Sequence, residues 1–302
     1  MLDEVELQLA GTGLAFPEGP IAESGGAVLA VEVESGALVR ISPDGVRTLV
    51  ADVGGGGANG AAIGPDGAVY VASNGGFNWL TMEDGSRVPA GFVDAWTHGT
   101  IHRVEPHTGE VTELFTHSDG RPLGSLNDVV FDAGGGCYVA DTLPDSRIHY
   151  AVPGRGEIHI ATDQVVTPNG AGLSPDGTQL YISETFTGRI RVFDVTGPGK
   201  LVETADLFTH PASGGEGYFF DGLTVDSQGN VIVADLMESA VRVISPDGKD
   251  LGLVRTPEPD IMVTCAAFGG PDRRTLYVTS GSRGKLYKAQ WPWPGLRLHY
   301  EI

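Results

Sequence analysis

Six stretches of the chain share one rhythm of apolar and polar positions. They are EGPIAESGGAVLAVE from Glu18, NGAAIGPDGAVYVAS from Asn59, NDVVFDAGGGCYVAD from Asn127, NGAGLSPDGTQLYISE from Asn169, DGLTVDSQGNVIVAD from Asp221 and TCAAFGGPDRRTLYVTS from Thr264. Each opens on a polar residue and runs through a short apolar strand. It then breaks at a Gly/Pro/Asp turn and resumes as a β-branched or aromatic strand. The turn carries the glycine that a tight hairpin needs at positive φ. A third strand follows each hairpin: ALVRIS, TIHRVEP, GEIHIAT, RIRVFDV, AVRVISP and KLYKAQW. A fourth, less regular one often comes next, as in VRTLVAD and VTELFTH. No stretch has the helical period that a doubly wound α/β fold needs between its strands. Four strands repeated six times, at roughly 40 to 70 residues per unit, predict an all-β fold. The expected architecture is a six-bladed β-propeller with four-stranded antiparallel blades around a central channel. The repeats run almost end to end without a linker, so residues 1–302 are expected to form a single domain. The last blade needs an outer strand to close the ring, and LRLHYEI at the C-terminus and VELQLAG at the N-terminus both qualify.

Composition agrees with many strands and tight turns, with 45 glycines and 19 prolines in 302 residues. The formal net charge of −20 would repel nucleic acid and anionic membranes, so neither is an expected partner. No apolar run approaches the roughly 18 residues of a membrane span, and the acidic N-terminus has no signal-peptide pattern. Cys137 and Cys265 lie far apart in apolar runs and read as buried free thiols, which fits a reducing, cytoplasmic setting. Nothing in the pattern sets an oligomeric state.

The propeller reading gives the repeats a chemical meaning. The first strand of each blade lines the channel, so residues at its start converge on the axis at one face. Those residues are Glu18, Asn59, Asn127, Asn169, Asp221 and Thr264, and each carries a side-chain oxygen. An oxygen-only set with two carboxylates describes a site for one hard divalent cation. Calcium is the expected ion, with magnesium or manganese as alternatives. Taken singly, an Asn-Gly or Asp-Gly pair is more often a turn; six in register read as a site. At the ends of the second strands, Glu32, Ser73, Asp141, Glu184, Asp235 and Ser280 read as groups that anchor loops. The long loop from Asn74 to Gly99 offers Phe77, Trp79, Phe92 and Trp96 as apolar walls, and a second run offers Tyr218, Phe219 and Phe220. The segment from Leu143 to Arg155 reads as an extended connection. His98 and His149 in these loops read as solvent-facing.

The chain resembles the senescence-marker-protein-30/gluconolactonase/luciferin-regenerating family. The resemblance rests on FPEGP around Glu18, SLNDVVFD around Asn127, TPNGAGLSPDG around Asn169, FFDGLTVDSQGNVIVAD around Asp221 and VTCAAFGG around Cys265, in that order. It implies a six-bladed propeller that hydrolyses lactones with a bound divalent metal. It implies Glu18, Asn169 and Asp221 as metal ligands, Asp221 as general base, and Asn127 as a substrate contact, with metal ligation as the alternative role for Asn127. It extends the usual ions to zinc, and Asn59 matches an Asn-Gly of the bacterial members. Ser125 stands where some sugar lactonases have an arginine, and a hydroxyl cannot make the same forked contacts with a polyol. No GxSxG elbow is present, and none is needed for this chemistry. Two other readings compete: a different metal-dependent hydrolase, for instance of phosphotriesters, and a non-catalytic ligand-binding propeller stabilised by its metal. A strictosidine-synthase-like condensing propeller ranks below both, because the oxygen set suits metal hydrolysis better.

Overall fold

The computed structural model describes residues 2–215 and 217–302. Each repeat folds as a four-stranded antiparallel sheet, to which blade 4 adds the two-residue strand Phe208–Thr209, and six such blades stand around a channel. The innermost strands of blades 1 to 6 are Pro17–Ala22, Ala58–Ile63, Leu126–Phe131, Pro168–Leu173, Phe220–Val225 and Val263–Gly269. The second strands are Val28–Glu32, Val69–Ser73, Cys137–Asp141, Gln179–Glu184, Val231–Asp235 and Thr275–Ser280. Nearly every residue of these second strands is buried, because each blade packs between two neighbours and both of its faces are covered. This is why runs such as VLAVE and VIVAD are continuously apolar rather than alternating. The core accordingly divides into six clusters, one between each pair of adjacent blades. Between blades 3 and 4, for example, Tyr138, Ile148 and Tyr150 pack on Leu173, Leu180 and Ile182. In five hairpins a glycine takes the left-handed turn position, and in blade 6 Arg273 takes it at φ 54°.

The ring is closed by the N-terminal candidate. Gln8–Thr12 pairs with Lys285–Gln290 and becomes the outer strand of blade 6. LRLHYEI has a different task. The tail crosses the face opposite the inner-strand starts, where Leu296 N–H donates to Val225 (3.1 Å), Tyr300 Oη to Ala133 O (3.3 Å), and Ser24 N–H to Ile302 O (2.8 Å). It closes the far end of a channel cavity of about 500 Å3, walled by inner-strand residues such as Ile63, Val129, Leu173 and Val225.

Blade 3 departs from the expectation. Its third strand is Arg147–Val152, and GEIHIAT forms the outer strand, Glu157–Thr162. The segment from Leu143 to Arg155 is therefore mostly strand, and His149 within it is fully buried. The proline and acids of TLPDS hide the alternation of RIHYAV that follows.

Candidate metal centre at the channel mouth

All six inner strands slip register against their second strands at one level. The slips fall at Glu18/Ile21, Ala58/Gly60, Leu126/Val129, Pro168/Ala171, Phe220/Leu223 and Val263/Ala266. Each is a β-bulge, which frees a residue from the ladder and re-aims its side chain. In blades 2 to 6 the freed residues include the polar residue of the repeat, whereas in blade 1 Glu18 stays paired with Val31 at the edge of the bulge and Gly19 and Pro20 are freed. The glycines that follow them are not turn residues. A Cβ on Gly60 would lie 2.2 Å from Asn127 O, and one on Gly222 would lie 2.5 Å from Cys265 Sγ. They are glycines because neighbouring inner strands approach one another here without room for a side chain.

Glu18, Asn59, Asn169 and Asp221 are all buried on these bulges, and Asn127 is half-buried. Burial, first, and the Asp221 charge, second, push the Glu18 carboxyl well above its usual range, against an opposing Gly19 N–H bond of 2.9 Å. Burial likewise pushes Asp221 up to about 7; the Asn169 amide and the Gly222 N–H oppose this, and the Asp128 charge adds to it. Two buried carboxylates thus repel each other in a place poor in water. Asn169 donates its Nδ2 to Thr185 Oγ1 at 3.0 Å, while its buried Oδ1 has no protein partner. A divalent cation fits this set, because it would satisfy that oxygen and relieve the repulsion. Among the described residues no three His, Cys, Asp or Glu side chains form a metal cluster by themselves, so amide oxygens are needed to complete the set.

Two expected members differ in role. Thr264 Oγ1 donates to Pro17 O at 2.7 Å and lies 2.8 Å from Thr279 Oγ1, so its hydroxyl ties blade 6 to blade 1. Asn59 is held toward blade 3, its Nδ2 lying 3.4 Å from Leu126 O. Ser125 is buried, its N–H donating to Leu143 O at 2.5 Å and its carbonyl accepting from Thr142 N–H at 2.9 Å.

Asp128 is a candidate site residue that the repeat pattern passes over. It fills the slot that is glycine in four other blades, and burial pushes its carboxyl up to about 6. Its Oδ1 accepts from Val129 N–H at 2.8 Å and its Oδ2 from Ala171 N–H at 2.9 Å, which joins blade 3 to blade 4 beside the axis. An acid in a glycine position was the available signal. Cys137 and Cys265 are both free and buried, and burial together with the three nearby carboxylates pushes the Cys265 thiol up.

The second-strand ends do anchor loops. Glu32 accepts from Arg47 Nε at 2.7 Å, Asp141 from Gly124 N–H at 2.9 Å, and Glu184 from Val166 N–H at 2.8 Å. Above them, the Asn74–Gly99 loop folds as a hairpin, Phe77–Thr81 with Arg87–Phe92. Its aromatic rings form a chain: Phe77 to Phe92 at 5.2 Å, Phe92 to Trp96 at 4.6 Å, and Trp79 on to Phe16 of blade 1 at 4.9 Å. Asp84 and Arg87 fasten it to blade 6 through Arg283 (2.7 Å) and Ser282 O (2.9 Å). Tyr218 is exposed and packs on Phe186, with ring centroids 5.2 Å apart. Phe219 and Phe220 are not walls; they are buried between blades 4 and 5.

No helix among the described residues is long and apolar enough to cross a membrane. Known proteins resemble this chain in both sequence and fold. A gluconolactonase of Zymomonas mobilis is 25% identical over 250 residues, which is 74% of this chain and 61% of the relative. A diisopropyl-fluorophosphatase of Loligo vulgaris is 27% identical over 209 residues, covering 61% of this chain and 63% of the relative. The chain thus spans about three fifths of the length of these two relatives. The calcium-binding protein regucalcin of Agrobacterium tumefaciens has the same fold, with a TM-score of 0.71 at 20% identity, covering 96% of this chain and 98% of that one. The model of the SMP-30/gluconolactonase/LRE-like region matches residues 16–282. With that match reaching from blade 1 into blade 6, the chain belongs to the SMP-30/gluconolactonase/LRE-like family.

Proposed function

We propose that the protein is a metal-dependent lactonase, hydrolysing a lactone ester at the channel mouth. The observation that carries this reading is the buried Glu18 and Asp221 pair beside the unpartnered Oδ1 of Asn169. These three residues would hold one divalent cation, with calcium favoured by an oxygen-only set and zinc, magnesium or manganese as alternatives. When bound, such a cation supplies Lewis acidity toward a lactone carbonyl. Asp221 takes the proton of the attacking water as the new carbon–oxygen bond forms. It returns that proton to the alkoxide as the ring carbon–oxygen bond breaks. Asn127, Asn59 and Ser125 orient the lactone from the blade 2 and blade 3 side. The hairpin aromatics shield the mouth from bulk water. The chain's thiols and its charge fit a cytoplasmic enzyme acting on a small molecule.

The likeness to a fluorophosphatase supports a second reading, a phosphotriester hydrolase using the same set. One panel separates the two. Sugar, alkyl and aromatic lactones and a phosphotriester are assayed after chelation and after re-addition of each metal. The lactonase reading expects lactone hydrolysis that vanishes on chelation and returns with calcium. Phosphotriester turnover alone would favour the second reading. A melting temperature that falls on chelation, with no hydrolysis to lose, would identify a ligand-binding propeller.

A further inference from the structure

Blade 3 carries a second recess at the channel-mouth face. Its volume is about 420 Å3, and its walls include Trp96, Arg121, Gly124, Asp141, Asp145 and Arg147. Gly124 and Ser125 lead straight into the inner strand that bears Asn127, and Leu126 is the register partner of Asp141. The recess therefore adjoins the axial site at about one strand spacing, roughly 5 Å. A group on the far end of a small lactone held at the axis would lie within reach of it.

Charge sets this recess apart. The chain has 19 basic against 39 acidic side chains, and its buried arginines are otherwise well neutralised. In blade 4, Arg191 sits among Glu184 (2.9 Å), Asp206 (2.8 Å) and Glu203. In blade 5, Arg242 binds Asp235 (2.7 Å) and Asp250. Blade 3 breaks the pattern. Its equivalent acid, Asp141, pairs with His149 Nε2 at 3.0 Å and with the Gly124 N–H. Arg147 has a side chain only 6% exposed, yet its ion pair is with Asp145, whose side chain is 62% exposed to water. Arg121 makes no ion pair among the described residues and opens on the same recess. The buried Oδ1 of Asp141 has no partner either, and it would accept a hydroxyl.

We infer that this recess binds an oxyanion substituent of the substrate — carboxylate, phosphate or sulfonate — with Arg121 and Arg147 as specificity-determining residues and Asp141 receiving a neighbouring hydroxyl. Planar guanidinium forks match such oxyanions in a way that the Ser125 hydroxyl cannot. The inference rests on the lactonase reading and narrows it to anionic, hydroxylated lactones.

The test compares glucono-1,5-lactone with 6-phosphoglucono-1,5-lactone on the calcium-loaded protein, alongside Arg147→Met and Arg121→Met. The wild type is expected to favour the anionic lactone in kcat/KM by about tenfold or more, and each variant to shrink that ratio by about tenfold. A ratio of two substrates on one preparation is insensitive to partial misfolding. A wild-type ratio near unity, or one unchanged in both variants, overturns the inference. If neither lactone is hydrolysed, the lactonase reading fails, and calorimetry with 6-phosphogluconate and gluconate decides the recess separately. Tighter binding of the phosphorylated acid, lost in Arg147→Met, supports it; equal binding of the two overturns it.

Discussion

Asp221→Asn is expected to abolish lactone turnover, by roughly three orders of magnitude or more, and to raise the melting temperature of the metal-free protein. The two effects have one cause. Asp221 is a buried carboxylate pushed up to about 7 by burial and by the Asp128 charge. Holding it ionised beside Glu18 costs the fold about 1.4 kcal/mol for each unit of displacement. The amide has the same shape without the charge, so the metal-free fold gains stability. It also loses the proton acceptor and the second charge that a cation needs. Calorimetry of the chelated variant near neutral pH, together with a lactone assay, checks both halves. A lower melting temperature would contradict the electrostatic account, and turnover like that of the wild type would remove Asp221 from the chemistry.

The second large expected effect is a dependence of stability on pH that a bound cation would reverse. In the native protein Asp221 titrates at about 7 instead of its ordinary 3.8, Asp128 at about 6, and Glu18 well above its ordinary range. Between the ordinary and the raised values the folded chain binds more protons than the unfolded chain. Stability from these groups is therefore fully present below the unfolded pKa values and is lost as pH rises through the folded ones. On the proposed function calcium would bind the ionised set, so it is expected to stabilise little at about pH 5 and most at about pH 8. Thermal melts across that range, with and without calcium at fixed ionic strength, check this. A calcium shift of the same size at every pH would contradict it, and Asp221→Asn should flatten the metal-free slope.

The sequence carries the architecture openly because a propeller repeats its physics. Each second strand is covered on both faces, so VLAVE, CYVAD and VIVAD recur as apolar runs, and the polar residue at the second position of each inner strand recurs with them. Closure of the ring is less legible. LRLHYEI alternates as well as any strand, but Gln8–Thr12 takes the open edge, and the tail covers the channel instead. The axial set is legible as residue types, yet their individual tasks depend on packing. Thr264 looks like its five counterparts, and only the neighbouring Pro17 carbonyl shows where its hydroxyl goes. Asp128 is hidden by its neighbour Asn127, and its importance appears once the slot it fills is seen to be glycine elsewhere. His149 reads as a loop histidine until the strand it belongs to buries it against Asp141.

One ion held by Glu18, Asn169 and Asp221 is the central proposal for this protein. Crystals of the protein grown with calcium, then exchanged to manganese and measured at the manganese edge, test it most directly. The predicted result is a single anomalous peak on the channel axis, with a calcium form whose contacts to Glu18, Asn169 Oδ1 and Asp221 are about 2.3–2.6 Å. A peak that touches none of these three side chains would contradict it.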